Sequence, residues 1–172
     1  MKTWLIALAA AFALFSANAA HACMPPPPPP QEQGESDDAY AARVTAWQAQ
    51  RNAEDAQFRA DRQSRLWDEA DSVFLARIVR IRSNANEYGQ GVTLRGIRSL
   101  KGRAFTNRFT LNPTLPPPCS FAPTFDATAG AVGDTFVIFV RGGRPSQRTV
   151  QATAAPSAIT DDRIRAALNT SE

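Results

Sequence analysis

The chain has 172 residues, of which 44% are hydrophobic, 20% charged and 9% aromatic, a profile that excludes collagenous and membrane-embedded chains and fits one soluble globular domain. The net charge of +3 is carried by arginine, with Lys2 and Lys101 as the only lysines. Acidic residues are interleaved with the arginines, so no nucleic-acid-binding arm is indicated.

Residues 1–22 read as a secretory signal. Lys2 gives a positive start, residues 4–15 form an apolar run, and Ala17-Asn18-Ala19 and Ala20-His21-Ala22 offer small-x-small cleavage motifs. The run is well short of the roughly 20 residues that span a bilayer, so no transmembrane anchor is expected. The expected location is outside the cytoplasm, in a periplasm or secreted. Cleavage after Ala22 starts the mature chain at Cys23 and removes His21, the only histidine. That excludes histidine triads, histidine metal sites and histidine-based pH switching.

Cys23 and Cys119 are the only cysteines. In an exported chain an even count points to a disulfide, and a loop of this length is stabilised by about 4 to 5 kcal/mol in the chain-entropy model. The competing reading makes Cys23 a lipid-bearing cysteine and Cys119 a free thiol, although Ala20 stands where lipoprotein signals usually carry leucine.

Six of the 13 prolines occupy residues 25–30 and three more occupy 116–118. The first run is expected to form an extended left-handed helix and to serve as a stiff spacer, because proline fixes φ and lacks an N–H. Ser36-Asp37-Asp38 supply capping oxygens and negative charge for a helix that continues, without proline or glycine, to about Asp71. Tyr40, Val44, Trp47 and Phe58 fall on one face of it, with Arg51, Arg62 and Arg65 between them. Docking of part of this helix on the domain is the favoured reading over an aromatic partner-binding surface.

After Asp71 the hydrophobic period changes to that of strands. Residues 72–82 predict a first strand and 92–100 a second with a bulge at Gly96. The turn Lys101-Gly102 leads to a third strand around residues 105–111. Residues 134–140 predict a fourth, central strand and 149–153 a fifth, and Thr160-Asp161-Asp162 caps a final short helix. The expected fold is mainly β with flanking helices: a small five-stranded barrel preceded by a long N-terminal helix. The division is a signal over 1–22, a proline-rich segment over 23–34, a helical extension over 35–70 and the barrel over 71–168.

Residues 70–79, the turn Ser99-Leu100-Lys101-Gly102, Cys119 and Gly133-Asp134-Thr135-Phe136-Val137-Ile138-Phe139 together resemble the netrin-like domain, an OB-fold barrel found in tissue inhibitors of metalloproteinases and in secreted bacterial proteins. The resemblance covers about residues 68–153. It implies that Cys23, exposed by signal cleavage, chelates the catalytic zinc of a metalloprotease through its α-amino group and carbonyl oxygen. A hydrolase zinc keeps an open position for such a ligand. It also implies that Cys119 pairs with Cys23, that Met24 enters the specificity pocket and that Pro27 lies in an edge segment. The family's usual second cysteine is replaced by Pro25, and its partner is absent from residues 151–156, so the inhibitory wedge loses one brace.

The alternative is an envelope interaction module that binds a protein, peptide or polysaccharide. Arg77, Arg80 and Arg82 on one strand and Arg141, Arg144 and Arg148 at a turn offer a basic patch, which protected strand edges account for equally well. No enzyme is expected. Asp68, Glu69, Asp71, Asp161 and Asp162 stand at helix ends as caps, and Asp126 and Asp134 lie in turns beside glycines. No cofactor, intrinsic metal or nucleic-acid partner is expected.

Overall fold

The computed structural model of the protein describes residues 26–82, 90–114 and 125–170. The expectations placed on the signal, on Cys23, Met24, Pro25 and Cys119, and on residues 83–89 of the turn after the first strand concern residues outside these.

Helix α1 spans Asp37–Glu69. Ser36 begins it as the sequence requires: its Oγ accepts the Ala39 N–H at 3.3 Å, and Asp37 and Asp38 place negative charge in the first turn. The end of the proline run is tied to the helix. The Arg43 guanidinium donates to the Pro30 carbonyl at 2.8 Å and to both Glu35 carboxylate oxygens at 3.0 and 2.7 Å, which clasps residues 30–35 to the helix. Tyr40, Val44 and Trp47 are half-buried on this part of α1. Phe58, assigned to the same stripe, is 64% exposed, so the stripe does not run the length of the helix.

Only the end of α1 docks on the sheet, through Leu66, Trp67 and Ala70. The latch is the buried Gln63: its Nε2 donates to Ala158 O at 2.8 Å, and its Oε1 accepts from the backbone of Thr160 at 2.7 Å and of Asp161 at 3.1 Å. One side chain thus satisfies three backbone groups of the connection into the last helix.

Strands β1 (Ser72–Ile81), β2 (Val92–Gly102), β3 (Arg108–Leu111), β4 (Thr135–Val140) and β5 (Val150–Ala154) form one antiparallel sheet in the order β3-β2-β1-β4-β5. The first three make the expected meander. The middle strand is β1 rather than β4, and β3 begins at Arg108 because residues 103–107 form a loop first. The β1–β2 ladder slips register at three places, one of them skipping Ile97 beside Gly96. Each slip bends the pair and increases its twist.

The inner face carries Phe74 and Ile78 of β1, Leu94 of β2, Phe109 of β3 and Ile138 of β4, with the Phe74 ring 5.5 Å from Phe105 and 5.9 Å from Phe109. The outer face is apolar over only one half. There Val73, Val137, Phe139 and Ala152 are covered by the end of α1 and by α2 (Asp162–Asn169), whose Ile164 is fully buried. No described helix is long and apolar enough to cross a membrane.

Asp161 caps α2, accepting the Arg163 and Ile164 N–H groups at 2.9 and 3.3 Å. Burial pushes its carboxyl up, but the hydrogen bond from the Arg163 guanidinium and these two N–H groups outweigh it and hold it below the usual carboxylate range. A depressed folded-state value makes this contribution present above the unfolded value, about 3.9 for aspartate, and lost as pH falls through the folded value. Asp161→Ala is expected to lower stability at neutral pH by about 1 to 2 kcal/mol. The deficit shrinks in urea titrations taken below about pH 4, where the unfolded-state carboxylate protonates first and the folded one at lower pH. An equal deficit at every pH would refute the charge contribution.

Candidate functional site

The half of the outer face that the helices leave open is built by strand register. Arg77 of β1 stands opposite Arg95 of β2, and Arg95 stands opposite Arg108 of β3. Directly opposed residues of an antiparallel pair point to the same side, and the neighbouring positions Ile78, Leu94 and Phe109 point into the inner cluster. The three arginines therefore form a row across three strands at a spacing of about 4.8 Å per strand. All three are exposed.

The last register slip in β1 skips Val79 and sets Arg80 opposite Thr93. Ile81 packs back on the inner cluster, so Arg80 and Arg82 flank it on the outer side with the row. None of Arg77, Arg80, Arg82, Arg95 or Arg108 forms an ion pair among the described residues.

Protection of strand edges does not account for this arrangement. β1 is the middle strand and β2 an interior one, so Arg77 and Arg95 guard no edge. Like charges placed directly opposite each other destabilise a sheet. Two adjoining concavities follow the row and share Thr106. One is lined by Arg77, Val79, Arg95, Gly96, Ile97 and Thr106, and the other includes Arg103, Asn107, Arg108, Arg144 and Pro145. No carboxylate lines either of them.

The turn arginines divide in their roles. Arg144 lines the second concavity, Arg141 is paired with Glu69 at 3.2 Å, and Arg148 is exposed. Two further cations of β2 on the covered half act as remote helix caps. Arg98 donates to the carbonyls of Ala167 at 3.1 Å, Leu168 at 2.8 Å and Thr170 at 2.6 Å, while Lys101 Nζ donates to the carbonyls of Trp67 and, at 2.9 Å, Ala70.

The carboxylates expected to be helix caps make tertiary ties as well. Asp68 pairs with Arg163 at 2.6 Å, and Asp71 Oδ2 accepts the Gly142 N–H at 2.7 Å. Asp162 pairs with Arg165 within α2, and Asp134 Oδ2 accepts the Ala131 N–H at 2.8 Å inside its turn. Asp126 heads a 3-10 turn over Asp126–Ala129, where desolvation pushes its carboxyl up and Arg62 pulls it the other way. Of the expected caps, only Asp68 and Asp161 are brought to one partner, the Arg163 guanidinium, which pairs with them at 2.6 and 3.2 Å.

Of the residues assigned to protease recognition, only Pro27 lies among those described, and it is exposed on the segment leading to the Arg43 clasp. Sequence reasoning named Arg77, Arg80 and Arg82 but missed Arg95 and Arg108, for which a signal exists. Between residues 72 and 125 the only carboxylate is Glu87, against seven arginines and Lys101. The acids are interleaved in the helix and nearly absent from the meander. The chain matches no protein-family model and no curated protein.

Proposed function

We propose that the chain is an exported, non-catalytic binding protein whose residues 71–168 form a netrin-like OB barrel. The observation that carries this reading is the open outer half of the sheet, where a like-charged row crosses interior strands with no acidic partner among the described residues. A surface that lowers the stability of its own sheet is accounted for by a ligand that neutralises it. Closure of the barrel is supported by Gln147: its Oε1 accepts the Asn112 N–H at 2.8 Å and its Nε2 donates to the Asn112 carbonyl at 3.2 Å, joining the end of β3 to the turn before β5.

A second reading, inhibition of a zinc metalloprotease by Cys23 and Met24, is favoured by the clasp of Arg43 on Pro30 and Glu35. The clasp ties Pro30, three residues after Pro27, to α1. Intact mass with and without reduction, together with N-terminal sequencing of the exported protein, tests both readings. Recovery only inside the cytoplasm with residues 1–22 attached would overturn export. A free Cys23 start with a disulfide to Cys119 is expected, and a zinc-protease panel then separates the readings. Chelation requires that one residue added before Cys23 abolish inhibition and that Met24→Gly weaken it; potent inhibition by the extended form would refute it.

A further inference from the structure

We propose that the arginine row is the binding site for an acidic polysaccharide, a linear chain of sugars bearing carboxylate or sulfate groups, lying across β1, β2 and β3 from Arg77 through Arg95 to Arg108. The inference rests on the reading of the chain as an exported binding module and names its ligand.

Charge complementarity is the first argument. Guanidinium groups present planar forks that bind carboxylate and sulfate oxygens in pairs, and the cations of this face are all arginine. A strand spacing of about 4.8 Å sets neighbouring forks roughly one sugar ring apart, so successive units of an extended polymer meet successive arginines. The two concavities that share Thr106 continue the path towards Arg144. Thr93 and Thr110, opposite each other on β2 and β3, place hydroxyl groups in the adjoining row, where sugar hydroxyls find partners.

The same surface is poorly suited to the competing polyanions. Single-stranded nucleic acid requires exposed aromatic faces for base stacking. The rings lining the trough are engaged: Phe105 lies between Phe74 at 5.5 Å and the Arg103 guanidinium at 5.8 Å, and Phe109 is buried against Phe74. Stable attachment to an anionic membrane adds inserted apolar surface to charge attraction, and among the arginines of this face only Ile97, 47% exposed, is a large exposed hydrophobic of the described residues.

The full exported chain is titrated, by calorimetry, with polygalacturonate, dextran sulfate, neutral dextran, oligo-dT and phosphatidylglycerol vesicles. Both acidic glycans are expected to bind and neutral dextran not to bind. Affinity should fall by about tenfold or more between about 50 and about 200 mM salt, as it does where several phosphates or similar anions are neutralised. Arg77→Gln/Arg95→Gln/Arg108→Gln is expected to weaken glycan binding by at least about tenfold, while the charge-matched Arg59→Gln/Arg62→Gln/Arg65→Gln on α1 leaves it within about threefold.

The triple sheet variant should also melt at a higher temperature than the wild type, because it relieves like-charge opposition; this separates loss of binding from loss of fold. Equal weakening by the two variants, or tighter binding of oligo-dT or vesicles than of either glycan, would overturn the glycan site while leaving an exported binding module intact. Failure of both glycans to bind a chain that still inhibits a metalloprotease would do the same.

Discussion

Gly96→Ala is expected to destabilise the protein by about 3 kcal/mol or more, since a methyl forced into a packed interior costs typically 1 to 3 kcal/mol and this one meets backbone. A Cβ built on Gly96 stands 1.6 Å from the Phe105 carbonyl oxygen and 2.7 Å from its carbonyl carbon. The chain leaving β2 crosses directly over Gly96, on the face where Ala76 opposes it, before turning into β3. Relief therefore requires moving the 103–107 loop, whose Phe105 packs on Phe74 and whose Thr106 links the two concavities. Urea unfolding gives the cost directly. For a domain of this size the melting temperature falls by about 6 to 12 °C. Adding Phe105→Ala is expected not to rescue the variant, because the obstruction is a carbonyl and not a ring. A cost below about 1 kcal/mol, or rescue by Phe105→Ala, would show that side-chain crowding alone sets the contact.

Lys101→Met and Arg98→Met are expected to cost about 1.5 to 3 kcal/mol each, the range for hydrogen bonds to charged groups. Neither α1 nor α2 has a basic residue in its last turn, although the partial negative charge of a helix C-terminus calls for one. β2 supplies both from outside: Lys101 lies over the end of α1, with its ammonium 5.5 Å from the Trp67 ring, and Arg98 forks over the end of α2. Each substitution leaves carbonyl groups without their donor while keeping most of the aliphatic stem. Lys101→Met should change the Trp67 fluorescence and Arg98→Met should not. Hydrogen exchange is expected to accelerate first at the end of the helix whose cap is lost. Because the two side chains serve different helices, the double variant should come within about 0.5 kcal/mol of additivity. Large coupling would mean that the two helix ends unfold as one unit.

These two cations show where sequence reasoning stops. Lys101-Gly102 is legible as a turn, and Gly102 does adopt a φ of 68° there. That Lys101 ends a helix more than thirty residues earlier is not legible, because the cap is made across the sheet. The Asp68, Glu69 and Asp71 cluster reads as a helix end and is one, but its partners Arg163, Arg141 and Gly142 are set by the packing of α2 and of the β4–β5 turn against α1. Gly96 reads as a bulge, and the slip falls on its neighbour Ile97. The need for glycine comes from a loop that no local pattern places above it.

What the sequence determines by itself is the local grammar. Period-two alternation marks the strands, Ser36 and Asp161 start the helices, and glycines end the segments between them, because each of these depends on residues a few positions apart. Strand order and register were decided only by the tertiary structure, since pairing energies are shared among strands distant in the chain. That order puts β1 in the middle, paired on both sides at Arg77, and so removes the edge explanation for that arginine. That register sets Arg77, Arg95 and Arg108 in one row, from positions separated by 18 and then 13 residues along the chain. A slip of one residue in either ladder would turn one of them inward, so the candidate site belongs to the register before it belongs to any single residue.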